Sequence, residues 1–71
     1  MTTCCIIGLG YIGLPTAAVL ARAGHRVIGV DVNGEVVATV NQGQIHIVEP
    51  DLDQAVAHAV ASGALSAQLT P

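Results

Sequence analysis

Three glycines near the amino terminus have the types and spacing needed to hold a phosphate group. Gly8, Gly10 and Gly13 form the pattern Gly-x-Gly-x-x-Gly at the end of an apolar run over residues 3–8. The first glycine permits a tight turn, the second leaves room for a pyrophosphate, and the third allows a helix to pack closely on a sheet. Free N–H groups at the start of that helix attract anions. The pattern therefore predicts a loop that binds the phosphates of a dinucleotide.

An acidic residue completes this pattern. Asp31 ends the second apolar run and follows Gly13 by 18 positions, which places both motifs in one strand–helix–strand unit of about 30 residues. Such an acid accepts hydrogen bonds from the adenosine ribose, and its charge repels a 2′-phosphate. We therefore expect NAD rather than NADP as the cofactor. Tyr11 is expected at the rim of the site, and Ile12 either there or in the core.

Other interpretations of the reactive side chains remain open. The glycines could shape a turn and Asp31 could end a strand without binding a ligand. His46 and Glu49 share a loop, where packing is favoured over catalysis. The sequence contains no metal-ligand cluster and no Ser/His/Asp set. Two adjacent cysteines, at positions 4 and 5, lie in an apolar run and are expected to be small buried hydrophobes rather than a reactive thiol pair.

The elements that position these residues follow from apolar periodicity. Residues 3–8 and 26–31 are apolar without alternation, which favours parallel strands buried on both faces. Residues 11–23 predict a helix with Pro15 in its first turn, and Gly24 is expected to end it. The two strands are therefore connected through one helix.

Two further helices are expected in the second half of the chain. Asn33 caps the first of them, and Gly43 ends it. After a loop at 44–50, Asp51 is expected to cap the last helix, with Gln54 answering in a capping box. This helix carries one apolar stripe, and residues 65–70 are expected to add at most a short strand. The stripe consists of Leu52, Ala55, Val56, Ala59 and Val60.

This order of elements predicts an α/β fold, namely the amino-terminal part of a Rossmann doubly wound parallel sheet. Two parallel strands cannot stand alone, because their flanks would expose unpaired backbone and apolar surface. We therefore expect residues 1–71 to be a partial NAD-binding domain, with the remainder of the protein absent from this chain.

Composition excludes several classes of partner. The 71 residues are 52% apolar and 10% charged, with a net charge of −3. Arg22 and Arg26 are the only arginines and there is no lysine, so nucleic-acid binding is not expected. Residues 4–21 carry no charge, but glycines and Pro15 interrupt them, so no membrane segment is expected. We accordingly expect a cytoplasmic protein.

The chain resembles the UDP-glucose/GDP-mannose dehydrogenase family in four motifs. The resemblance implies an NAD-dependent oxidation of the C6 alcohol of a UDP-sugar to a carboxylate, with two NAD per turnover, by a homo-oligomeric full-length parent. It also implies that Gly8, Gly10, Tyr11, Ile12, Gly13 and Asp31 bind the cofactor. The family's catalytic cysteine belongs to a later segment, so no catalytic residue is assigned here. The motifs are Gly-Leu-Gly-Tyr-Ile-Gly-Leu-Pro-Thr-Ala (8–17), Gly-Val-Asp-Val-Asn (29–33), Asn-Gln-Gly (41–43) and His-Ile-Val-Glu-Pro-Asp-Leu (46–52).

The segment at 43–52 is similar to the branch of the family that oxidises UDP-N-acetylmannosamine. Relatives that oxidise UDP-glucose usually have glycine where Asp51 stands. One position departs from the family pattern, because Val36 occupies a site where many relatives have Arg or Lys near the adenosine. UDP-glucose oxidation, a non-catalytic NAD-sensing module and a truncated reading frame remain as alternatives.

Overall fold

The computed structural model describes residues 2–71, which form a three-stranded parallel sheet and three helices. Only Met1 of the expected domain 1–71 lies outside the described residues. The strands lie side by side in the order β1-β2-β3. The α/β class and the Rossmann-type arrangement are therefore confirmed. The elements are β1 (Thr3–Ile7), α1 (Gly13–Arg22), β2 (Arg26–Val30), α2 (Gly34–Asn41), α3 (Leu52–Ala61) and β3 (Leu65–Gln68).

The core lies between the sheet and the helices. In the parallel register, Cys4 of β1 lies beside Val27 of β2, which lies beside Leu65 of β3. Val27 and Leu65 are buried against side chains of all three helices. The apolar stripe of α3 is confirmed, since its members are buried or half-buried toward this core.

The helix boundaries follow local signals in the sequence. The Asn33 side chain caps α2 as expected, because its Oδ1 accepts a hydrogen bond from the Glu35 N–H at 2.9 Å. Gly24 and Gly43 follow α1 and α2 with positive φ angles. The third strand, Leu65–Gln68, lies within the chain and occupies the first part of the expected segment. No helix within residues 2–71 has the length and apolarity required to cross a membrane.

The expectation that both cysteines are buried is wrong. Cys4 is half-buried and Cys5 is exposed. The burial of β1 alternates, and Ile7 at its end is 70% exposed. One face of β1 packs toward the helices, whereas its other face has no covering layer in residues 2–71. Continuous apolarity therefore predicted the strand correctly but overstated its burial in this chain.

The expected capping box at α3 is also wrong. Asp51 occupies the N-cap position, but its side chain makes no capping hydrogen bond. Its backbone lies in the left-handed region at φ 64°, whereas a capping residue ordinarily has extended backbone. The capping box that Gln54 would complete is therefore absent. The connection into α3 instead turns sharply, with the Leu52 N–H donating to the Glu49 carbonyl oxygen at 3.2 Å.

Candidate functional site

The glycine-rich loop leaves the end of β1 through a sharp turn at Gly8. Gly8 has φ +90°, which a residue with a side chain rarely adopts. Its N–H donates to the Val30 carbonyl oxygen of β2 at 2.7 Å. This bond extends the pairing of β1 and β2 by one residue and then directs the chain over the carboxyl end of the sheet. Ligands bind at this end in open α/β sheets.

Gly10 and Gly13 differ in the space around them. A Cβ added to Gly13 would lie 1.7 Å from the Gly8 carbonyl oxygen, so no side chain fits there without moving the loop. A Cβ added to Gly10 would find no atom within 4 Å. Gly13 thus allows α1 to begin directly against the loop, while Gly10 borders open space that a ligand could occupy. These are the roles predicted for the third and second glycines of the pattern.

The start of α1 presents unused hydrogen-bond donors to this open space. The N-cap residue Ile12 makes no side-chain capping bond. Within residues 2–71, no acceptor is found for the N–H groups of Gly10, Tyr11 and Ile12. Free donors and the positive end of the helix dipole lie together at one place. This arrangement favours an anionic group such as a pyrophosphate.

Asp31 lies beside the loop and is ionised. Its Oδ2 accepts a hydrogen bond from the Leu9 N–H at 3.0 Å, and its Oδ1 accepts one from the Asn33 N–H at 2.9 Å. These two bonds, the one from Leu9 first, lower the pKa of the Asp31 carboxyl below its usual value. A carboxylate has about four acceptor positions, so roughly two stay free for further donors. The two sequence motifs are therefore joined by a direct hydrogen bond.

Leu9 and Gly29 belong to this region but were missed from the sequence. Leu9 is fully buried, and the end of its side chain lies over Gly29 in β2. An isolated glycine inside an apolar strand indicates a close approach of another group. That signal was present at Gly29 in the run 26–31, but it does not identify which residue approaches.

Tyr11 and Ile12 lie on the solvent side of the loop. They are 72% and 84% exposed, so the alternative that Ile12 is a core residue is wrong. Both line a shallow cleft of about 640 Å³ that also borders Cys5, Gly10 and other residues of the loop. This cleft follows the carboxyl end of β1, where the loop presents its free N–H groups. Tyr11 therefore lies at the rim of this cleft, and its place at the cofactor stays a prediction.

The structure separates the remaining candidates. His46 is exposed but near enough to Asp31 to make a small electrostatic contribution to the lowered pKa of that carboxyl, after the two backbone hydrogen bonds. Glu49 is exposed in the same loop. Val36 is half-buried and packs on the core, which gives this departure from the family pattern a structural role. Among residues 2–71, no group of His, Cys, Asp or Glu could hold a metal ion.

Comparison with known proteins gives a family match over nearly the whole chain. Residues 2–70 match the family model described as UDP-glucose/GDP-mannose dehydrogenase family, NAD binding domain. The chain is 59% identical over 69 residues to an NDP-N-acetyl-D-galactosaminuronic acid dehydrogenase of Ralstonia nicotianae. It is also 59% identical over 69 residues to a UDP-N-acetyl-D-mannosamine dehydrogenase of Yersinia pestis. Both matches cover 97% of this chain but only 16% of the relative.

A solved structure shares the fold over nearly the whole of this chain. The UDP-glucose dehydrogenase of the archaeon Pyrobaculum islandicum is 41% identical, with a TM-score of 0.93 over 99% of this chain and 16% of that protein. The 71 residues thus span about one sixth of the length of the relatives they match. In such relatives the matched part corresponds to the amino-terminal strands and helices of the NAD-binding domain.

Proposed function

Because the chain belongs to the UDP-glucose/GDP-mannose dehydrogenase family and matches its NAD-binding domain, we propose that it forms the adenosine half of the NAD site in a UDP-sugar 6-dehydrogenase. In this proposal residues 1–71 are the first part of a longer protein. The substrate-binding and catalytic residues then lie outside this chain. The length of the relatives, of which the chain covers 16%, supports this division.

The observation that carries the proposal is the hydrogen bond between Leu9 and Asp31. It places an ionised carboxylate immediately beside a loop whose glycines leave space and whose N–H groups are free. In a dinucleotide-binding site of this type, the loop holds the pyrophosphate and the acid holds the adjacent ribose. A loop or an acid alone would not distinguish a dinucleotide from other ligands, but their juxtaposition does.

Each site residue has a specific task in binding NAD. Gly8 turns the chain, Gly10 keeps the backbone accessible, and Gly13 seats α1 against the loop. The backbone N–H groups of Tyr11 and Ile12 donate to the pyrophosphate. Asp31 accepts hydrogen bonds from the ribose hydroxyls through its free acceptor positions, and its charge disfavours a 2′-phosphate. When bound, NAD accepts a hydride from the substrate.

The proposed substrate is UDP-N-acetylmannosamine, oxidised to the corresponding uronic acid with two NAD per turnover. Support comes from the 59% identity to the Yersinia pestis relative named for that substrate and from the motif at 46–52. The equal identity to a relative named for N-acetyl-D-galactosaminuronic acid makes UDP-N-acetylgalactosamine the second candidate. Both candidates are N-acetylated nucleotide sugars that differ in ring stereochemistry.

Kinetics with the full-length protein test this proposal. NADH formation is followed with UDP-N-acetylmannosamine, UDP-N-acetylgalactosamine, UDP-N-acetylglucosamine, UDP-glucose and GDP-mannose. The expected result is the highest kcat/KM with UDP-N-acetylmannosamine and two NADH per sugar oxidised. The highest kcat/KM with UDP-glucose would reject the substrate but keep the dehydrogenase. A protein that binds NAD but turns over no sugar would indicate an NAD-sensing module instead.

A further inference from the structure

Leu9 and Gly29 form a contact that the glycine pattern and the ribose-binding acid do not explain. Leu9 is 0% exposed although it stands between two glycines of a loop at the molecular surface. A Cβ built on Gly29 would lie 2.7 Å from Cδ2 and 2.8 Å from Cδ1 of Leu9. The end of the Leu9 side chain therefore occupies the space that a side chain at position 29 would need.

The reason for glycine at position 29 is space rather than conformation. Gly29 lies inside β2 and is absent from the residues with positive φ, whereas Gly8 has φ +90°. An alanine could thus adopt the backbone of Gly29 without strain. Its methyl group would collide with Leu9, which is enclosed by the core and has little room to withdraw.

Three consecutive residues at the end of β2 hold the start of the loop. Gly29 accommodates the Leu9 side chain, the Val30 carbonyl oxygen accepts the Gly8 N–H at 2.7 Å, and Asp31 accepts the Leu9 N–H at 3.0 Å. Displacement of the Leu9 side chain would move its backbone N–H as well. The contact at Gly29 and the hydrogen bond to Asp31 are therefore mechanically linked.

We propose that Leu9 and Gly29 are positioning residues that fix the pyrophosphate loop relative to the ribose-binding Asp31, so that the two parts of the NAD site act as one rigid unit. This inference rests on the proposed role of the site in binding NAD. Neither side chain needs to touch the cofactor. A change at Gly29 would weaken NAD binding by misplacing the loop and by removing a hydrogen bond from Asp31.

Substitution of Gly29→Ala in the full-length protein tests the inference. Calorimetric titration should give an NAD dissociation constant about tenfold higher, as expected when the misplaced loop loses one hydrogen bond to the charged pyrophosphate. Hydrogen–deuterium exchange without NAD should be faster in peptides that cover residues 8–13. Gly34→Ala is the matched control, because a Cβ at Gly34 meets no atom within 4 Å. It should alter neither measurement.

A compensating change separates positioning from general damage. In Gly29→Ala combined with Leu9→Ala, the colliding atoms are absent and the new methyl fills part of the vacated space. The double variant should bind NAD more tightly than Gly29→Ala alone, which is non-additive behaviour of contacting residues. Equal binding by these two variants would overturn the inference, and so would values for Gly29→Ala that match Gly34→Ala.

If Gly29→Ala does not fold, Leu9→Ala alone is measured, and it should bind NAD more weakly and exchange faster at residues 8–13. Unchanged binding and exchange in Leu9→Ala would overturn the inference. A wild-type protein that does not bind NAD would instead reject the proposed function. The exchange measurements, made without NAD, would still decide whether Gly29 and Leu9 fix the loop.

Discussion

At the scale of single residues, the carboxylate of Asp31 combines a structural role with the proposed binding role. It accepts hydrogen bonds from the backbone of Leu9 and Asn33 and retains acceptor positions for ribose. These bonds also fix its orientation, because each oxygen is held by a different segment. A carboxylate held in this way cannot rotate away from a 2′-phosphate. In the proposed NAD site, this fixed carboxylate would favour NAD over NADP.

Substitution of Asp31→Asn in the full-length protein should weaken NAD binding at least tenfold and reduce discrimination against NADP. Asparagine has a single side-chain acceptor oxygen, so one backbone bond and part of the ribose contact are lost, each about 1.5–3 kcal/mol for a charged partner. Titration calorimetry with both cofactors measures the effect. Glu35→Gln, which neutralises an exposed acid in α2, is the control. Unchanged NAD affinity in Asp31→Asn would mean that the acid only ends a strand.

The pH dependence of stability should reflect the same carboxylate. Its hydrogen bonds lower the pKa of Asp31 in the folded protein, so their stabilisation is fully present above the unfolded pKa of about 3.9. It is lost as the pH falls through the folded pKa. The thermal midpoint of wild type should therefore exceed that of Asp31→Asn near neutral pH, and the difference should shrink in acid. A difference independent of pH would contradict this assignment.

At the scale of elements, the sequence predicted the order and type of the strands and helices better than the contacts and burial of their side chains. The strands, the helices and the Asn33 cap follow from nearby residues, because periodicity and capping are local. The contact between the Leu9 side chain and Gly29 joins two segments that meet only after β1 and β2 pair. Apolar periodicity within one segment could therefore not identify it. The exposure of Cys5 likewise depends on which face of the sheet other elements cover.

The entry into α3 shows how a local rule can fail. Asp51 has the residue type and position of a capping residue, but its backbone is left-handed and its side chain makes no capping bond. In this conformation a residue with a side chain is disfavoured by about 1–2 kcal/mol relative to the helical region.

Substitution of Asp51→Gly should stabilise the protein by about 0.5–1 kcal/mol. The free energy gained by relieving the left-handed strain exceeds the cost of the extra conformational entropy that glycine gives the unfolded chain. No side-chain capping bond is lost. Asp51→Ala is the matched control, because it removes the same carboxylate but retains the strain. It should not stabilise the protein. Chemical unfolding of both variants measures this, and equal destabilisation would restore a capping role for the side chain.

At the scale of the whole molecule, the two edges of the sheet differ. On the β3 side, the Asn41 side chain caps the backbone of Ala67 with two hydrogen bonds of 2.8 Å. On the β1 side, no strand or side chain in residues 2–71 covers the edge. A parallel sheet with one blocked edge can extend only from the other. If residues 1–71 are the first part of a longer protein, as proposed above, the open edge and the exposed Ile7 are where further strands would pack.

The isolated 71-residue chain should show no dehydrogenase activity and only marginal stability. It supplies the glycine-rich loop and Asp31, but its two cysteines lie in β1 and not in the later segment that carries the family's catalytic cysteine, and one face of β1 is uncovered. A chain of this size buries only about 60% of its unfolded surface, which leaves little net stability. Circular dichroism during thermal unfolding and NADH formation with UDP-N-acetylmannosamine test both points, with the full-length protein as the positive control. Measurable turnover by the 71-residue chain would refute the division of the enzyme proposed above, because the chemistry would then have to arise from Cys4, Cys5, His46 or another residue in this chain.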